Sequence, residues 1–577
     1  MDTLFLSLLV AAPLATLAQT RSAVVQTTLG SVQGLRKTVN NVEVDVYYGI
    51  PFAKPPVGDL RFKRPEAAMN WTGVKNTTQM PNSCLQSIDT AFDQFKGVDM
   101  WNPNTNVSED CLYLNLWVPR GSQPPRTTMV WIFGGGFFAG TSTLQVYDGS
   151  NMAASQNVIV VSLNYRLGAL GFLFTGTQDA PGNMGLLDQV MALQWVHDNI
   201  HNFGGSRDAI TVFGESAGGM STGYHMLSPL SKDLFTRAIM QSASVYCPIM
   251  LQTNSSAFSR ARRLARDMGC PERPEREMVS CLREKDAQAI TDTMWNTVEY
   301  YFDVPHPTVV DGYFLPEHPH DLIRKGEVKD TEVLLGANKD EGTFWLLYAF
   351  PDDYPLNNSG QVSRSRFREL IHGVTLNGND EMVDAYVFEY SDSVVPSLRR
   401  TYRELVGDMA GDDLFTCPVA DFANDFAKNH SVFLYSFQHR LANNPWPAWT
   451  GVMHGYEVEA VFGLPEEFQY STQDRDLASR VMSYWTNFAE TGNPNSGGVT
   501  VWPAMTSEGQ EYLVIKGDGD TVENGLRYRK CAFGSREPPP RPSERPTCPT
   551  GGSTPIAYSL HFLIAAIVTS LMTVVNL

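Results

Sequence analysis

The sequence has no run of basic residues, and its 44 lysines and arginines are outnumbered by 62 aspartates and glutamates. Nucleic-acid binding needs a basic patch or stripe, so this function class is excluded. The chain also lacks an internal repeat and, outside its C-terminal region, any low-complexity segment. The formal net charge of −18 repels anionic partners and permits a cationic substrate, and the 43% hydrophobic content allows a large buried core.

The apolar tail that ends the chain has no lysine or arginine after it, so a membrane-spanning helix there would lack its cytoplasmic anchor. Before the tail come a proline-rich hinge at residues 535–550, small residues and a short spacer. This order is typical of a glycosylphosphatidylinositol (GPI) signal. We expect residues 551–577 to form the anchor signal, with the mature protein anchored to the outer membrane surface through Gly551, Gly552 or Ser553 and the rest of the tail removed.

The N-terminal residues predict a signal peptide, although no basic residue precedes the apolar run at residues 4–14. Small residues at 16–18 offer a cleavage point. We therefore expect residues 1–18 to be absent from the mature protein, which would pass through the secretory pathway to the cell surface.

The 8 cysteines of the chain indicate disulfides in such a compartment. Connectivity cannot be read from sequence alone, and spacing only suggests pairs. The suggested pairs are Cys84 with Cys111, Cys270 with Cys281, and Cys417 with Cys531. Cys247 follows an apolar stretch and is predicted to be a buried thiol. Cys548 lies in the proline-rich hinge, where it could link a homodimer.

Sequons for N-glycosylation fit a secreted, extracellular chain, although each motif alone is weak. They begin at Asn70, Asn76, Asn106, Asn254, Asn357 and Asn429.

Residues 19–534 contain no long linker, so the sequence predicts one catalytic domain there. Residues 128–133, 158–163 and 209–213 are short apolar runs typical of buried parallel strands. Residues 183–200, between the second and third runs, have helical apolar spacing. This alternation predicts the α/β class, with a central, mostly parallel sheet flanked by helices.

Ser216 is the candidate nucleophile. The third apolar run leads directly into Gly-Glu-Ser-Ala-Gly at residues 214–218, and a helix-compatible stretch follows. A serine at a tight strand-to-helix turn needs small flanking residues and presents its hydroxyl at the top of the sheet. Such a motif also occurs by chance, but this context favours a nucleophile elbow over an ordinary glycine turn.

A hydrolase that attacks a carbonyl with serine also needs N–H donors for the oxyanion. Three consecutive glycines, residues 134–136, follow the first apolar run and are bounded by phenylalanines. A flexible loop is the less favoured interpretation of this segment. We assign the oxyanion donors to Gly135, Gly136 and Ala217.

A histidine base and a carboxylate complete the expected set, in the chain order serine, carboxylate, histidine. His454 lies in a glycine-flanked segment, and Glu341 follows the apolar run at residues 333–335. The residues alone do not separate Glu341 from Asp340 or from other carboxylates.

Several motifs together resemble the type-B carboxylesterase and cholinesterase family. They are GIPFA at 49–53, SEDCLYLN at 108–115, the glycine triplet, GESAG at 214–218, DEG at 340–342 and HGYE at 454–457. The resemblance spans nearly the whole domain. It implies an α/β-hydrolase fold, the triad Ser216, Glu341 and His454, the three suggested disulfides, and an acyl-enzyme mechanism with no metal or organic cofactor.

The segment at residues 100–104 is similar to the cholinesterase segment whose tryptophan holds the choline head, so Trp101 is the candidate for that role. Aromatic faces suit a quaternary ammonium, whose methyl groups form no hydrogen bonds. The resemblance implies a cationic choline ester as substrate and a synaptic setting. Further candidates are Glu215, Phe344 and Tyr147 in the choline pocket, and Asp89, Trp295 and Tyr348 at an outer, peripheral site.

The sequence departs from typical acetylcholinesterases in its acyl pocket. Phe302 and Val304 align with two phenylalanines, and Ile249 aligns with a tryptophan. Because these changes remove bulk, we expect better acceptance of butyryl esters. Phe138 and Ser87 replace tyrosines, so we expect weaker binding of peripheral inhibitors.

Two alternatives share the fold. A general carboxylesterase or hormone esterase would keep the triad without a choline pocket, and Trp101 with Asp89 argues against it. A neuroligin-like adhesion module typically lacks the nucleophile, whereas this chain has Ser216 together with Glu341 and His454.

Overall fold

The computed structural model describes residues 20–534 apart from 93, 122–124, 358–359, 376–378, 393–400, 464–469 and 497–499. The predicted signal peptide, Cys548 and the candidate anchor residues Gly551, Gly552 and Ser553 lie outside the described residues. Within those ranges, no helix has the length and apolar character needed to cross a bilayer.

A sheet of 11 strands forms the centre of the fold. Its strands, numbered in chain order, are β1 Leu35–Val39, β2 Val42–Pro51, β3 Tyr113–Pro119, β4 Arg126–Ile132, β5 Ile159–Leu163, β6 Gly205–Glu215, β7 Arg237–Gln241, β8 Val333–Asn338, β9 Val432–Phe437, β10 Glu511–Ile515 and β11 Thr521–Asn524. Their order across the sheet is β11-β10-β9-β8-β7-β6-β4-β5-β3-β2-β1.

The seven strands from β10 to β5 in that order are parallel. Strand β11 at one edge and strands β3, β2 and β1 at the other are antiparallel to their neighbours. The predicted α/β class with a mostly parallel sheet is confirmed. The three apolar runs predicted as strands are β4, β5 and the second half of β6, and every residue of β5 is fully buried. Parallel strands are covered on both faces, which is why they appear in the sequence as uninterrupted apolar runs.

Helices connect and flank these strands. Numbered in chain order, they are α1 Lys96–Asp99, α2 Ser150–Gln156, α3 Gly168–Phe172, α4 Met184–Asn199, α5 Ala217–Leu227, α6 Asn254–Asp267, α7 Glu275–Glu284, α8 Ala287–Thr293, α9 Pro319–Lys325, α10 Thr343–Ala349, α11 Arg364–Val374, α12 Asp380–Val387, α13 Tyr402–Gly411, α14 Cys417–Phe426, α15 Val458–Phe462, α16 Thr472–Thr491 and α17 Tyr528–Gly534. The helix predicted over residues 183–200 is α4, which lies between β5 and β6 as expected.

Shorter elements complete the fold. Small sheets are formed by Val25–Gln26, Ser31–Gln33 and Val74–Asn76, by Ser83–Cys84 with Val107–Ser108, by Phe174–Thr177 with Ala180–Pro181, and by Leu251–Gln252 with Thr308–Val309. Phe388–Asp392 and Asp412–Thr416 are π-helical turns.

The structure contains the three disulfides suggested from spacing, Cys84–Cys111, Cys270–Cys281 and Cys417–Cys531. Cys247 is a buried free thiol. The asparagines of all six sequons are exposed, as a glycosylation site requires.

Candidate active site

Ser216 occupies the turn between strand and helix. Strand β6 ends at Glu215 and helix α5 begins at Ala217, so Ser216 alone joins them. Its φ of 56° lies in the left-handed region, which is strained for a residue other than glycine. The Ser216 N–H donates to the carbonyl of Gln241 on β7 at 2.9 Å, and its carbonyl accepts from Met220 in α5 at 2.9 Å. Hydrogen bonds to two elements therefore hold the strained turn.

The flanking glycines are required by close approach. A Cβ at Gly218 would overlap the carbonyl oxygen of Ile132, at the end of β4. A Cβ at Gly214 would meet the same carbonyl and the backbone of Gly218. The elbow thus lies directly on the neighbouring strand, and any side chain at these positions would push Ser216 out of place.

His454 and Glu341 form a buried hydrogen bond, with 2.6 Å between His454 Nδ1 and Glu341 Oε2. The second oxygen of Glu341 accepts from the backbone N–H of Asn338 at 2.6 Å. The neighbouring Asp340 instead accepts from the backbone N–H of Val452 at 2.9 Å and so holds the loop that carries the histidine. The structure thereby distinguishes the two adjacent carboxylates, because Glu341 contacts the imidazole and Asp340 contacts the backbone of the histidine loop.

The other ring nitrogen of His454 faces Glu215. Nε2 lies 3.1 Å from Glu215 Oε1, but the angles do not suit a hydrogen bond, and among the described residues neither atom has such a partner. No hydrogen bond joins Ser216 Oγ to His454 in this part of the chain. Catalytic hydrogen bonds are often long or misaligned without substrate and tighten in the complex. Among the described residues Nε2 thus has no hydrogen-bond partner, as a base for Ser216 would require.

Buried carboxylates set the electrostatics around His454. Burial lowers the pKa of His454, but the charges of Glu215 and Glu341 outweigh this effect and raise the pKa to about 9. Burial raises the pKa of Glu215 to about 8, against the opposing effect of His454. Burial also raises the pKa of Glu457, which accepts from Asn338 Nδ2 at 2.6 Å. Because His454 and Glu215 each depend on the other's charge, they titrate as a pair.

The glycine loop after β4 runs against the elbow. A Cβ at Gly134 would lie 3.0 Å from Ser216 Cβ. Gly135 and Gly136 have φ values of 99° and 59°, and the Gly135 carbonyl accepts from Ala139 N–H at 2.9 Å, which closes a turn. Ala217 is the first residue of α5, where N–H groups have no acceptor within the helix. The proposed oxyanion donors therefore come from the glycine loop, which approaches Ser216 at Gly134, and from the start of α5.

Trp101 lies beside residues 454–456, the segment that begins with His454. A Cβ at Gly455 would lie 3.6 Å from Glu215 Oε1 and 3.8 Å from the Trp101 ring. The Trp101 indole N–H donates to the Tyr456 hydroxyl at 3.4 Å, and its ring is 6.3 Å from that of Tyr147. A side chain at Gly455, the residue after His454, would therefore contact two predicted members of the choline pocket.

Phe344 belongs to an aromatic cluster that continues from Trp101 toward the peripheral candidates. Its ring is 5.2 Å from that of Tyr348 and 6.3 Å from that of Trp446. The Tyr348 hydroxyl donates to Asp89 Oδ2 at 2.8 Å. Burial and the charge of Asp89 raise the pKa of Tyr348, so this hydroxyl stays a donor. The structure thus brings Asp89 and Tyr348 into direct contact and connects both to Phe344.

Trp295, the third peripheral candidate, contacts the two residues that replace tyrosines. Its indole N–H donates to Ser87 Oγ at 3.3 Å, and its ring packs edge-on against Phe138 at 4.9 Å. Ser87 Oγ also lies 3.4 Å from Asp292 Oδ1. Ser87 and Phe138, the two residues that replace tyrosines of the family pattern, therefore both contact Trp295.

The three acyl-pocket candidates are all buried and lie on adjoining segments. Ile249 and Val304 are 2% and 1% exposed. The strand after Ile249 pairs with the strand after Val304, and Thr308 Oγ1 donates to the carbonyl of Met250. The ring of Phe302 packs edge-on against that of Trp345 at 6.4 Å.

Sequence analysis missed two aromatic neighbours of His454. The rings of Phe415 and Trp345 lie 4.3 Å and 5.9 Å from the imidazole. Trp345 directly follows the predicted Phe344 and could have been found from that position. Phe415 lies in the π-helical turn Asp412–Thr416 and carried no signal in the sequence.

The chain is similar to known proteins over most of its length. The sequence model described as "Carboxylesterase family" matches residues 21–534. An acetylcholinesterase of Bungarus fasciatus is 44% identical over 520 residues, covering 88% of this chain and 85% of the relative. A cholinesterase of Mus musculus is 44% identical over 522 residues, covering 88% and 86%. An acetylcholinesterase of Danio rerio is 41% identical over 557 residues, covering 89% and 88%.

Proposed function

The chain belongs to the carboxylesterase family, and on that premise we propose how it acts as a serine ester hydrolase of the cholinesterase type. It cleaves choline esters, and its main reaction is the hydrolysis of acetylcholine to choline and acetate. The observation that carries the proposal is the position of Gly455, the residue after His454, where an added Cβ would contact both Trp101 and the carboxylate of Glu215. A cationic head bound there lies one residue from His454.

Ser216, His454 and Glu341 perform the chemistry in this proposal. Ser216 Oγ attacks the acyl carbon while His454 Nε2 takes its proton, and Glu341 holds the imidazole through Nδ1. The N–H groups of Gly135, Gly136 and Ala217 stabilise the oxyanion.

His454 then gives the proton to the departing choline oxygen, which leaves an ester between Ser216 and the acyl group. Water attacks this acyl-enzyme with His454 as base, and the carboxylic acid leaves as Ser216 recovers its proton.

The aromatic rings of Trp101, Tyr147 and Phe344 bind the quaternary ammonium, with an attraction of about 0.5–2 kcal/mol for each ring that faces it. The charge of Glu215 adds to this attraction when the carboxyl is ionised. Asp89, Trp295 and Tyr348 form an outer cation site that the substrate meets first. The hydrogen bond from Tyr348 to Asp89 supports a shared role of these two residues in the outer cation site.

The acyl group lies against Phe302, Val304 and Ile249. Their burial on two adjoining segments supports a common wall. Because Val304 and Ile249 are smaller than the aromatic residues usual in acetylcholinesterases, the pocket accepts butyryl as well as acetyl groups.

The mature protein is a catalytic domain of residues 19–534 on a proline-rich hinge. It is held at the cell surface, including synapses, by a GPI anchor and is linked to a second copy through Cys548. Three disulfides fit an oxidising compartment, and six exposed sequon asparagines fit a glycosylated ectodomain.

Phosphatidylinositol-specific phospholipase C should release the protein from intact cells, and Cys548→Ser should convert its non-reduced dimer to monomer. Retention after phospholipase treatment would contradict the anchor.

The experiment that tests the function is hydrolysis of acetylthiocholine, butyrylthiocholine and phenyl acetate by the full-length protein, repeated with Ser216→Ala. We expect all three esters to be cleaved by the wild type and none by the variant. Hydrolysis of phenyl acetate alone would favour a general carboxylesterase over a cholinesterase. Activity that survives Ser216→Ala would overturn the assignment of the nucleophile.

A further inference from the structure

The loop that carries two of the acyl-pocket residues is strained. Phe302 and His306 have φ values of 63° and 51°, in the left-handed region that bulky residues avoid. Such conformations persist only where the surrounding structure determines them. The loop must therefore be held in place by other groups.

A buried ion pair holds it. Asp303 lies between Phe302 and Val304, and its two carboxylate oxygens accept from Arg260 Nη2 at 2.9 and 2.8 Å. Arg260, on helix α6, also donates from Nη1 to the carbonyl of Val304 at 2.9 Å. The side chains of Arg260 and Asp303 are 2% and 0% exposed. One guanidinium thus fixes both the carboxylate and the backbone of the loop.

The remaining lone pairs of Asp303 are bound by the loop itself. Oδ2 accepts from the backbone N–H of Glu299 at 2.8 Å, and Oδ1 accepts from that of Val304 at 2.9 Å. Asp303 therefore connects the start of the loop to its middle.

The ion pair between Arg260 and Asp303 is by itself weak evidence for stability, because removing two charges from water offsets much of their attraction. What the pair supplies here is a defined conformation for the loop.

The ring of Trp345 connects this loop to the proposed catalytic base, His454. Phe302 packs edge-on against Trp345 at 6.4 Å, and Trp345 is 5.9 Å from the imidazole of His454. A shift of Phe302 or Val304 therefore changes the space beside the reacting acyl group.

We propose that Arg260 is a positioning residue that sets acyl-chain selectivity by clamping Asp303 and the Val304 carbonyl. The inference rests on the proposed function, since it needs the acyl group to lie against Phe302 and Val304. Loss of the clamp lets the loop relax outward and widens the pocket. Longer acyl chains then gain relative to acetyl.

The test compares Arg260→Met, Arg260→Lys and the double variant Arg260→Met/Asp303→Asn with the wild type. The readout is the ratio of kcat/KM for butyryl over acetyl esters, measured on the same preparation, so that the amount of folded enzyme cancels. Lysine keeps the charge but cannot make the forked contacts of a guanidinium. Arg266→Met is the matched control, because Arg266 lies on the same helix and pairs with Glu272 in an exposed position.

We expect Arg260→Met to raise the butyryl-to-acetyl ratio by about tenfold, and Arg260→Lys by a smaller factor in the same direction. The double variant removes both buried charges, so it should be more stable than Arg260→Met and still keep the raised ratio. Should Arg260→Met not be secreted, the lysine and double variants carry the test. Secreted variants with the ratio of wild type and of Arg266→Met would overturn the proposal.

Thiocholine and phenyl esters are both measured, so that the two proposals can fail separately. A wild type that cleaves only phenyl esters contradicts the choline-ester function. The ratio of phenyl butyrate to phenyl acetate still reports on Arg260 in that case.

Discussion

Replacing Glu215 with glutamine should move the acid limb of the pH–rate profile to lower pH. His454 must be neutral to accept the proton of Ser216, so kcat/KM rises as the pH rises through its pKa. Glu215 Oε1 lies 3.1 Å from Nε2, and its negative charge favours the protonated imidazole and raises that pKa. Removing the charge makes the neutral form available at lower pH.

The magnitude follows from the distance. Two unit charges 3.1 Å apart attract by about 1.3 kcal/mol at the dielectric constant of water and by about 5 kcal/mol at an effective value of about 20. One pKa unit corresponds to about 1.4 kcal/mol, so the lower figure is about one unit. Burial raises the pKa of Glu215 to about 8, so its carboxyl group is mostly protonated near neutrality and the full attraction does not act there. We therefore expect a shift of about one to two units.

The assay uses phenyl acetate, a neutral ester, because Glu215 also faces the proposed cation site. Initial rates are measured from pH 5 to pH 11, with spontaneous hydrolysis subtracted, for the wild type, Glu215→Gln and Glu215→Asp. Aspartate retains the charge, so its profile should stay closer to that of the wild type. An acid limb that does not move in Glu215→Gln, in an enzyme that remains active, would refute the electrostatic reasoning.

Other changes test other parts of the site. Trp101→Ala should lower kcat/KM for acetylthiocholine by about 30-fold, the equivalent of about 2 kcal/mol of cation–π attraction, and leave phenyl acetate hydrolysis within a few-fold of wild type; equal losses for both esters would contradict a cation site at Trp101. Val304→Phe should lower the butyryl-to-acetyl ratio of kcat/KM by about tenfold because the ring fills the acyl pocket, and an unchanged ratio would remove Val304 from that pocket. Gly218→Ala should abolish activity and lower the melting temperature, since the added Cβ overlaps the carbonyl of Ile132; an active variant with wild-type stability would show that the elbow can shift.

Local motifs made the elbow predictable. An apolar run, small residues around Ser216 and a helical stretch are all encoded within one short segment, and the structure forms strand, turn and helix there. The central strands were equally readable because buried parallel strands need continuous apolar residues. The antiparallel edge strands β1 and β2 were not predicted, since they carry charged and polar residues among the apolar ones.

Other parts of the site could not be predicted, because they depend on contacts between segments that are distant in the sequence. Glu341 and Asp340 are adjacent, and their separate tasks depend on where the loop at residues 451–455 crosses them. Phe415 reaches His454 from a π-helical turn whose sequence has no distinguishing pattern. Arg260 is one of several arginines on α6, and only tertiary packing separates it from its exposed neighbours.

In the proposed function the two flanks of His454 hold different halves of the substrate. On one flank, Trp345 connects the imidazole to the residues that contact the acyl group. On the other, Gly455 brings the same segment against Trp101 and Glu215. The flanks are nevertheless joined, because the ring of Phe344 in the proposed choline pocket lies 5.6 Å from that of Trp345. Substitutions at residues in contact do not have independent effects. A change that admits a different acyl group is therefore expected to alter the binding of the alcohol half as well.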